Sequence, residues 1–157
     1  MSKNIHSSPF DEGTLTKLKI FEKYLTEWLP VFLAPRKVRW KKVGIYDFFA
    51  GPGVDVEKNH GSPIIILETI KNAVYNGVSA MDCIIDKNLQ VQIYLNEYNT
   101  EKFFQLEKNI SPYKKELDYI SIKVDNRDFQ SALEIQWNNI CDNDAANLLF
   151  LDQNGIK

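Results

Sequence analysis

The sequence predicts an α/β fold in which a parallel sheet is flanked by helices. Three observations carry that prediction. Apolar segments rich in β-branched and aromatic residues recur at Val43 to Phe49, Val91 to Asn96, Tyr119 to Val124 and Leu148 to Leu151, stretches with helical spacing separate them, and acids stand at their ends. Strands alternating with helices imply parallel pairing through right-handed crossovers, with a cleft along the carboxyl edge of the sheet. A chain of 157 residues, 44% hydrophobic and 25% charged, can bury one core, so residues 1–157 are read as a single domain. Within it, residues 1–41 form an amino-terminal helix and linker, and residues 42–157 form the sheet with its helices.

In chain order, Asp11 is placed to cap a long helix, because its carboxylate can accept one of the free amides of the first turn. Leu15, Leu18, Phe21, Leu25, Trp28 and Leu29 recur mostly at steps of three and four, which puts them on one face and leaves Lys17, Lys19, Glu22 and Lys23 mostly outside. Pro30 is expected to restrain the end of that helix. After the first strand and a polar insertion from Val54 to His60, Ser62 is expected at the N-cap with Pro63 at the first helical position. That helix should run to about Tyr75 and close at Asn76-Gly77. Val78 to Lys87 fits either a helical extension or a short strand. Asn99 caps the next helix, which carries Phe103, Leu106 and Ile110, and Asp128 caps a later one carrying Leu133, Ile135 and Trp137.

Charge and cysteine usage narrow the function classes. A net charge of -2 gives no support for broad capture of nucleic acid. Arg36, Lys37, Arg39, Lys41 and Lys42, with Trp40 among them, form one basic cluster, read first as a solvated loop. The two cysteines, Cys83 and Cys141, are far apart, and neither a signal peptide nor a long apolar span accompanies them, so the expected setting is a reducing cytoplasm with no membrane anchor. No Cys-x-x-Cys or His-x-x-x-His spacing occurs, which argues against a metal site.

The chemistry concentrates at Asp47-Phe48-Phe49-Ala50-Gly51-Pro52-Gly53, where a buried strand carrying an acid gives way to a glycine turn. Gly51 and Gly53 lack a Cβ and can take positive φ, which lets backbone amides approach a bound group closely. An acid beside such a turn suits a cofactor bearing both a cationic amino group and a carboxylate, and S-adenosylmethionine is such a molecule. Taken alone, the pair of glycines reads better as an ordinary strand followed by a Gly-Pro turn. Glu97 after the second strand can accept hydrogen bonds from ribose hydroxyls, or cap a loop. Tyr98 can lie against an adenine face or cover the sheet edge, and Asp128 can accept from an adenine amino group, although capping is the simpler role.

Together, the Asp47 to Gly53 motif, the Gly61-Ser62-Pro63 helix start, Glu97, Asp128-Phe129 and Phe150-Leu151-Asp152 resemble the three-Cys-motif partner proteins. The helix segment Thr14 to Leu25 with Trp28 also looks like the opening helix of that family. The resemblance implies a Rossmann-like class I methyltransferase fold, S-adenosylmethionine as cofactor, and a partner protein with a three-cysteine motif. It further implies that Asp47 and the turn of Ala50, Gly51 and Gly53 hold the methionine part, Glu97 the ribose, and Asp128 with Phe129 the adenine, with Phe49 and Tyr98 also among the expected cofactor-binding residues and Asp152 facing the methyl acceptor. Members run longer than this chain, so an amino-terminal piece lacking the last strands is expected. The family tends to read Asp-Pro-Phe-Gly where this chain has Asp152-Gln153-Asn154-Gly155. Related amino-methyltransferases hold a flipped base with that proline and aromatic ring, and their absence argues against a nucleobase acceptor. The alternative is a non-catalytic module that keeps the fold as an interaction surface.

Overall fold

The short strand β1, Lys42–Asp47, is buried from its second residue onward and accepts a neighbour on each side. The computed structural model describes residues 8–34 and 39–153. In it, β1 pairs in parallel with β4 (Gln90–Asn96) and with β6 (Ala145–Phe150), while β4 also pairs in parallel with β5 (Ser121–Asp125). The sheet order is therefore β5-β4-β1-β6. Parallel pairing brings every strand's carboxyl end to one edge, as the sequence predicts, and places Asp47, Glu97, Asp125 and Asp152 along it. Among the described residues, β6 pairs only with β1, so its outer edge carries no partner strand.

Alternation along the strands divides the core into two layers. Val43 and Ile45 of β1 and Val91, Ile93 and Leu95 of β4 face a large apolar cluster. That cluster is covered by α1 (Glu12–Leu33), α2 (Ser62–Asn72), α3 (Ala80–Asp86) and α4 (Thr100–Glu116), through residues such as Leu25, Leu29, Ile66, Ile84 and Leu106. Each such side chain contributes about 1.5–3 kcal/mol when fully buried. On the opposite face, Tyr46 and Tyr94 pack with Phe48 and with Ala132 of α5 (Phe129–Ile140). Asp11 caps α1 by accepting the Thr14 amide at 2.7 Å, and Asn99 and Asp128 cap α4 and α5 in the same way.

Several local expectations are corrected. Pro30 lies inside α1, which continues to Leu33. The first strand ends at Asp47 rather than Phe49, because the chain turns there, and the last strand spans Ala145–Phe150 instead of starting at Leu148. The third begins at Ser121, two residues after Tyr119. Gly61, not Ser62, is the N-cap of α2, and the Ser62 hydroxyl is turned inward to Asp47. The helix stops at Asn72, and Asn76-Gly77 instead forms the turn of a hairpin between β2 (Val74–Tyr75) and β3 (Val78–Ser79). Both turn residues have positive φ, 52° and 79°, the geometry favoured by two-residue hairpins. Val78 to Lys87, for which the sequence left helix and strand open, contains both β3 and α3.

The basic cluster has structural duties where it is described. Trp40 packs edge-on against Phe32 with ring centres 5.4 Å apart, and Lys42 forms an ion pair with Asp142 at 2.6 Å. Arg36 and Lys37 lie outside the described residues. Among the described residues, no helix is long and apolar enough to cross a membrane.

Candidate functional site

At the end of β1 the backbone leaves the sheet through Phe48, Phe49 and Ala50, and Asn96 at the end of β4 holds that departure in place. The Ala50 amide donates to the Asn96 carbonyl at 2.9 Å, while the Asn96 side chain donates to the carbonyls of Phe48 and Arg127 at 3.3 and 2.9 Å. It also accepts the Arg127 amide at 3.2 Å. One buried side chain thus ties together the loops after β1, β4 and β5. Sequence reasoning placed Asn96 only as the end of a strand.

The glycine turn follows. Gly51 and Gly53 have φ of 65° and 88°, a region that side-chain-bearing residues rarely adopt. Among the described residues, a Cβ on Gly51 would meet nothing within 4 Å, so the backbone there borders open space. The Gly61 amide donates to the Gly53 carbonyl at 2.7 Å, which brings the start of α2 against the turn. A Cβ on Gly61 would lie only 3.0 Å from that carbonyl oxygen. The close approach therefore depends on glycine.

Asp47 is fully buried. Its Oδ2 accepts the Ser62 hydroxyl at 2.5 Å and its Oδ1 accepts the Phe49 amide at 3.2 Å. Among the described residues, it has no ion pair with a basic side chain. Burial pushes its carboxyl up to about 7, against the two hydrogen bonds, and the nearby charges of Glu97 and Asp152 push the same way. Asp47 consequently lies behind the cavity wall and acts on it through Ser62 and Phe49. Glu97 is also buried, with Oε2 accepting the Gly51 amide and Oε1 the Asn99 amide, each at 2.8 Å. It holds the glycine turn and the approach to α4 at once.

Phe49, Ala50, Gly51, Gly53 and Asp152 come together around one cavity of about 50 Å³. Its remaining wall includes Phe10, Thr14 and Leu18 from the α1 region, together with Ser62. Sequence reasoning missed the α1 contribution, because apolar residues at helical spacing signal core packing whether or not one end of the face borders a cavity. Tyr98, Asp128 and Phe129 lie apart from the cavity lining. Tyr98 is exposed, and the Phe129 ring stacks on Phe49 with centres 5.3 Å apart. Asp128 accepts the Ser131 amide at 2.9 Å and the Ser131 hydroxyl at 2.6 Å, which satisfies the capping role and holds its carboxyl below the usual range.

Asp152, just past β6, forms an ion pair with Lys17 of α1, whose Nζ lies 2.9 and 3.0 Å from the two carboxylate oxygens. A larger cavity of about 410 Å³ lies at the amino end of the strands, beside Gly44, Tyr46, Gln92 and Asn147, and none of the candidate site residues lines it. Among the described residues, no cluster of three or more histidine, cysteine or acidic side chains is arranged to hold a metal ion.

Comparison with known protein families, with curated proteins and with solved structures found no match for this chain.

Proposed function

We propose that the chain binds S-adenosylmethionine at the carboxyl edge of its sheet and transfers the methyl group to an acceptor, working with a three-Cys-motif partner as the sequence resemblance implies. The observation that carries the proposal is the joining of the left-handed Gly51–Gly53 turn to Glu97, through the Gly51 amide, at the ends of two adjacent parallel strands. Such an edge is where open α/β sheets receive nucleotide-like ligands.

The residues fit the amino-acid end of this cofactor. Open space borders Gly51, and three carboxylates, Asp47, Glu97 and Asp152, lie near enough for Glu97 and Asp152 to raise the proton affinity of Asp47. A ligand bearing a positive charge relieves that repulsion. The cofactor supplies an electrophilic methyl group on a sulfonium centre. Ser62, whose hydroxyl donates to Asp47, forms part of the cavity wall, and Glu97 retains lone pairs for ribose hydroxyls beside those used by Gly51 and Asn99. Phe129, stacked on Phe49, offers an apolar surface for the adenine, and Tyr98 follows Glu97 directly in the chain. Asp152, in the cavity wall, is the residue assigned to the acceptor side.

Titration with S-adenosylhomocysteine tests this reading. At about a hundredfold excess over Kd the expected stabilisation is about 2.7 kcal/mol, which for a chain of this size raises Tm by roughly 5 to 10 °C. No shift and no calorimetric heat at saturating ligand would reject cofactor binding.

A second reading, a non-catalytic interaction module, is favoured by one observation: the Asp152 carboxylate is engaged by Lys17 rather than open to an acceptor. Transfer of label from methyl-labelled cofactor to a cell extract separates the two readings, since a module of that kind transfers none.

A further inference from the structure

Lys17 stands on the first helix, far from the acids in sequence, yet its ammonium sits across both oxygens of Asp152. Asp152 lines the small cavity beside the glycine turn, and that cavity has no lysine, arginine or histidine in its wall among the described residues. Its charged surroundings are otherwise acidic: Asp152 at the wall, with Asp47 and Glu97 behind it. A ligand with an amino-acid end brings one carboxylate into this acidic setting. That carboxylate needs a cation, and Lys17, bonded to the lining residue Asp152, supplies one. The Lys17 side chain is half exposed, at 52%, and the Asp152 side chain is 28% exposed, so exchanging partners requires no opening of the core. Thr14, one turn before Lys17 on the same helix, already lines the cavity.

We propose that Lys17 is a binding residue for the carboxylate of the cofactor's amino-acid part, and that it gives up Asp152 to take that carboxylate. The proposal rests on the cofactor reading above and adds to it a coupling: occupation of the cavity frees Asp152 to face the acceptor. A flexible four-carbon stem with a compact charge suits this exchange, because it can swing between two oxygen pairs without a fixed planar geometry. Lys17 lies on no element that carries the glycine turn or the other acids, so the first helix becomes part of the binding site as well as part of the core.

The test compares two probes that share adenine, ribose and a thioether. S-adenosylhomocysteine carries the amino-acid end, and 5′-methylthioadenosine lacks it. Calorimetric titration of both is carried out on the wild-type chain and on Lys17→Met, Lys17→Arg and Asp152→Asn, with Tm recorded for each to confirm folding. Lys17→Met is expected to weaken S-adenosylhomocysteine about tenfold or more while leaving 5′-methylthioadenosine within about twofold. Lys17→Arg is expected to restore most of the loss, and Asp152→Asn to tighten S-adenosylhomocysteine by removing the competing anion. Equal effects of Lys17→Met on both probes, or no effect on either, would overturn the role of Lys17 while leaving cofactor binding intact. Failure of both probes to bind the wild-type chain would overturn the cofactor reading itself, and this proposal with it.

Discussion

Glu97 Oε2 accepts a hydrogen bond from the Gly51 amide at 2.8 Å, so the acid after β4 holds the glycine turn that follows β1. Its other oxygen accepts the Asn99 amide at the same distance. From sequence alone, Glu97→Ala is expected to weaken a ribose contact and leave the fold unaffected. The structure changes the second half of that expectation. Removing a buried carboxylate leaves two amide donors without their acceptor, and each such loss costs about 1–3 kcal/mol when the donor remains buried. Glu97→Ala should therefore lower stability in urea unfolding and also weaken S-adenosylhomocysteine by about tenfold to a hundredfold. Unchanged stability would mean that water replaces the carboxylate freely, and unchanged affinity in the folded variant would remove Glu97 from the ribose site.

Asp47 supplies a pH dependence with a definite sign. Its folded-state pKa is about 7, against 3.8 for an ordinary aspartate, because it is buried. Between those values the folded chain holds a proton that the unfolded chain has released, so stability falls as pH rises through about 4 to 7 and levels off above that range. The cost accumulated by pH 8 is on the order of a few kcal/mol. Carboxyls held below their usual range, such as Asp11, Asp128 and Asp142, act in the opposite direction, and they do so as pH falls toward and below 4. Urea unfolding from pH 4.5 to 8 should show the decline in the wild-type chain and a much flatter profile in Asp47→Asn. A wild-type profile that rises across this window would contradict the assignment.

What was legible in the sequence follows from what local pattern can encode. Val43 to Phe49 and Val91 to Asn96 announce strands by their composition, although the first leaves the sheet at Asp47, and the alternation of such strands with helices announces a parallel sheet whose carboxyl ends share one edge. Asp11, Asn99 and Asp128 announce helix starts, since a short polar side chain before a helical stretch has a local partner to bond. Ser62 misled for a reason of distance. Its choice between capping its own helix and bonding Asp47 is decided by a residue fifteen positions away, whose buried carboxylate needs a donor. The Lys17 and Asp152 pair spans 135 positions and has no local signature at all. Asn76-Gly77 shows a third limit: the same dipeptide ends helices and turns hairpins, and only the pairing of Val74 with Ser79 distinguishes the two.

The hairpin turn provides a test free of packing effects. Gly77 has φ of 79°, and a Cβ there would meet nothing within 4 Å among the described residues. Gly77→Ala should thus cost only the strain of placing a side-chain-bearing residue in the left-handed region, about 1–2 kcal/mol. Thermal unfolding should show this modest loss without a change in ligand affinity, because the hairpin contributes nothing to the cavity wall. A loss well above that range would show that the hairpin does more than close the loop between α2 and α3.

Gly44 offers the opposite case, where space rather than φ is limiting. It lies in the central strand β1, and a Cβ there would collide with Asn147 Oδ1 and come within 2.7 Å of the Tyr46 ring. Among the described residues, Asn147 Oδ1 is itself buried without a hydrogen-bond partner, while Nδ2 of the same residue donates to the carbonyls of Asn139 and Ile140 at 3.1 and 2.9 Å. Those two bonds hold the side chain over Gly44, so it cannot move aside without losing them. Gly44→Ala should destabilise by about 1–3 kcal/mol through overpacking. If the conflict is with Asn147, the pair Gly44→Ala and Asn147→Ala should lose less than the sum of the single losses, with a coupling of about 0.5 kcal/mol or more in a double-mutant cycle. Strict additivity in urea unfolding would show that Tyr46, rather than Asn147, sets the limit on this position.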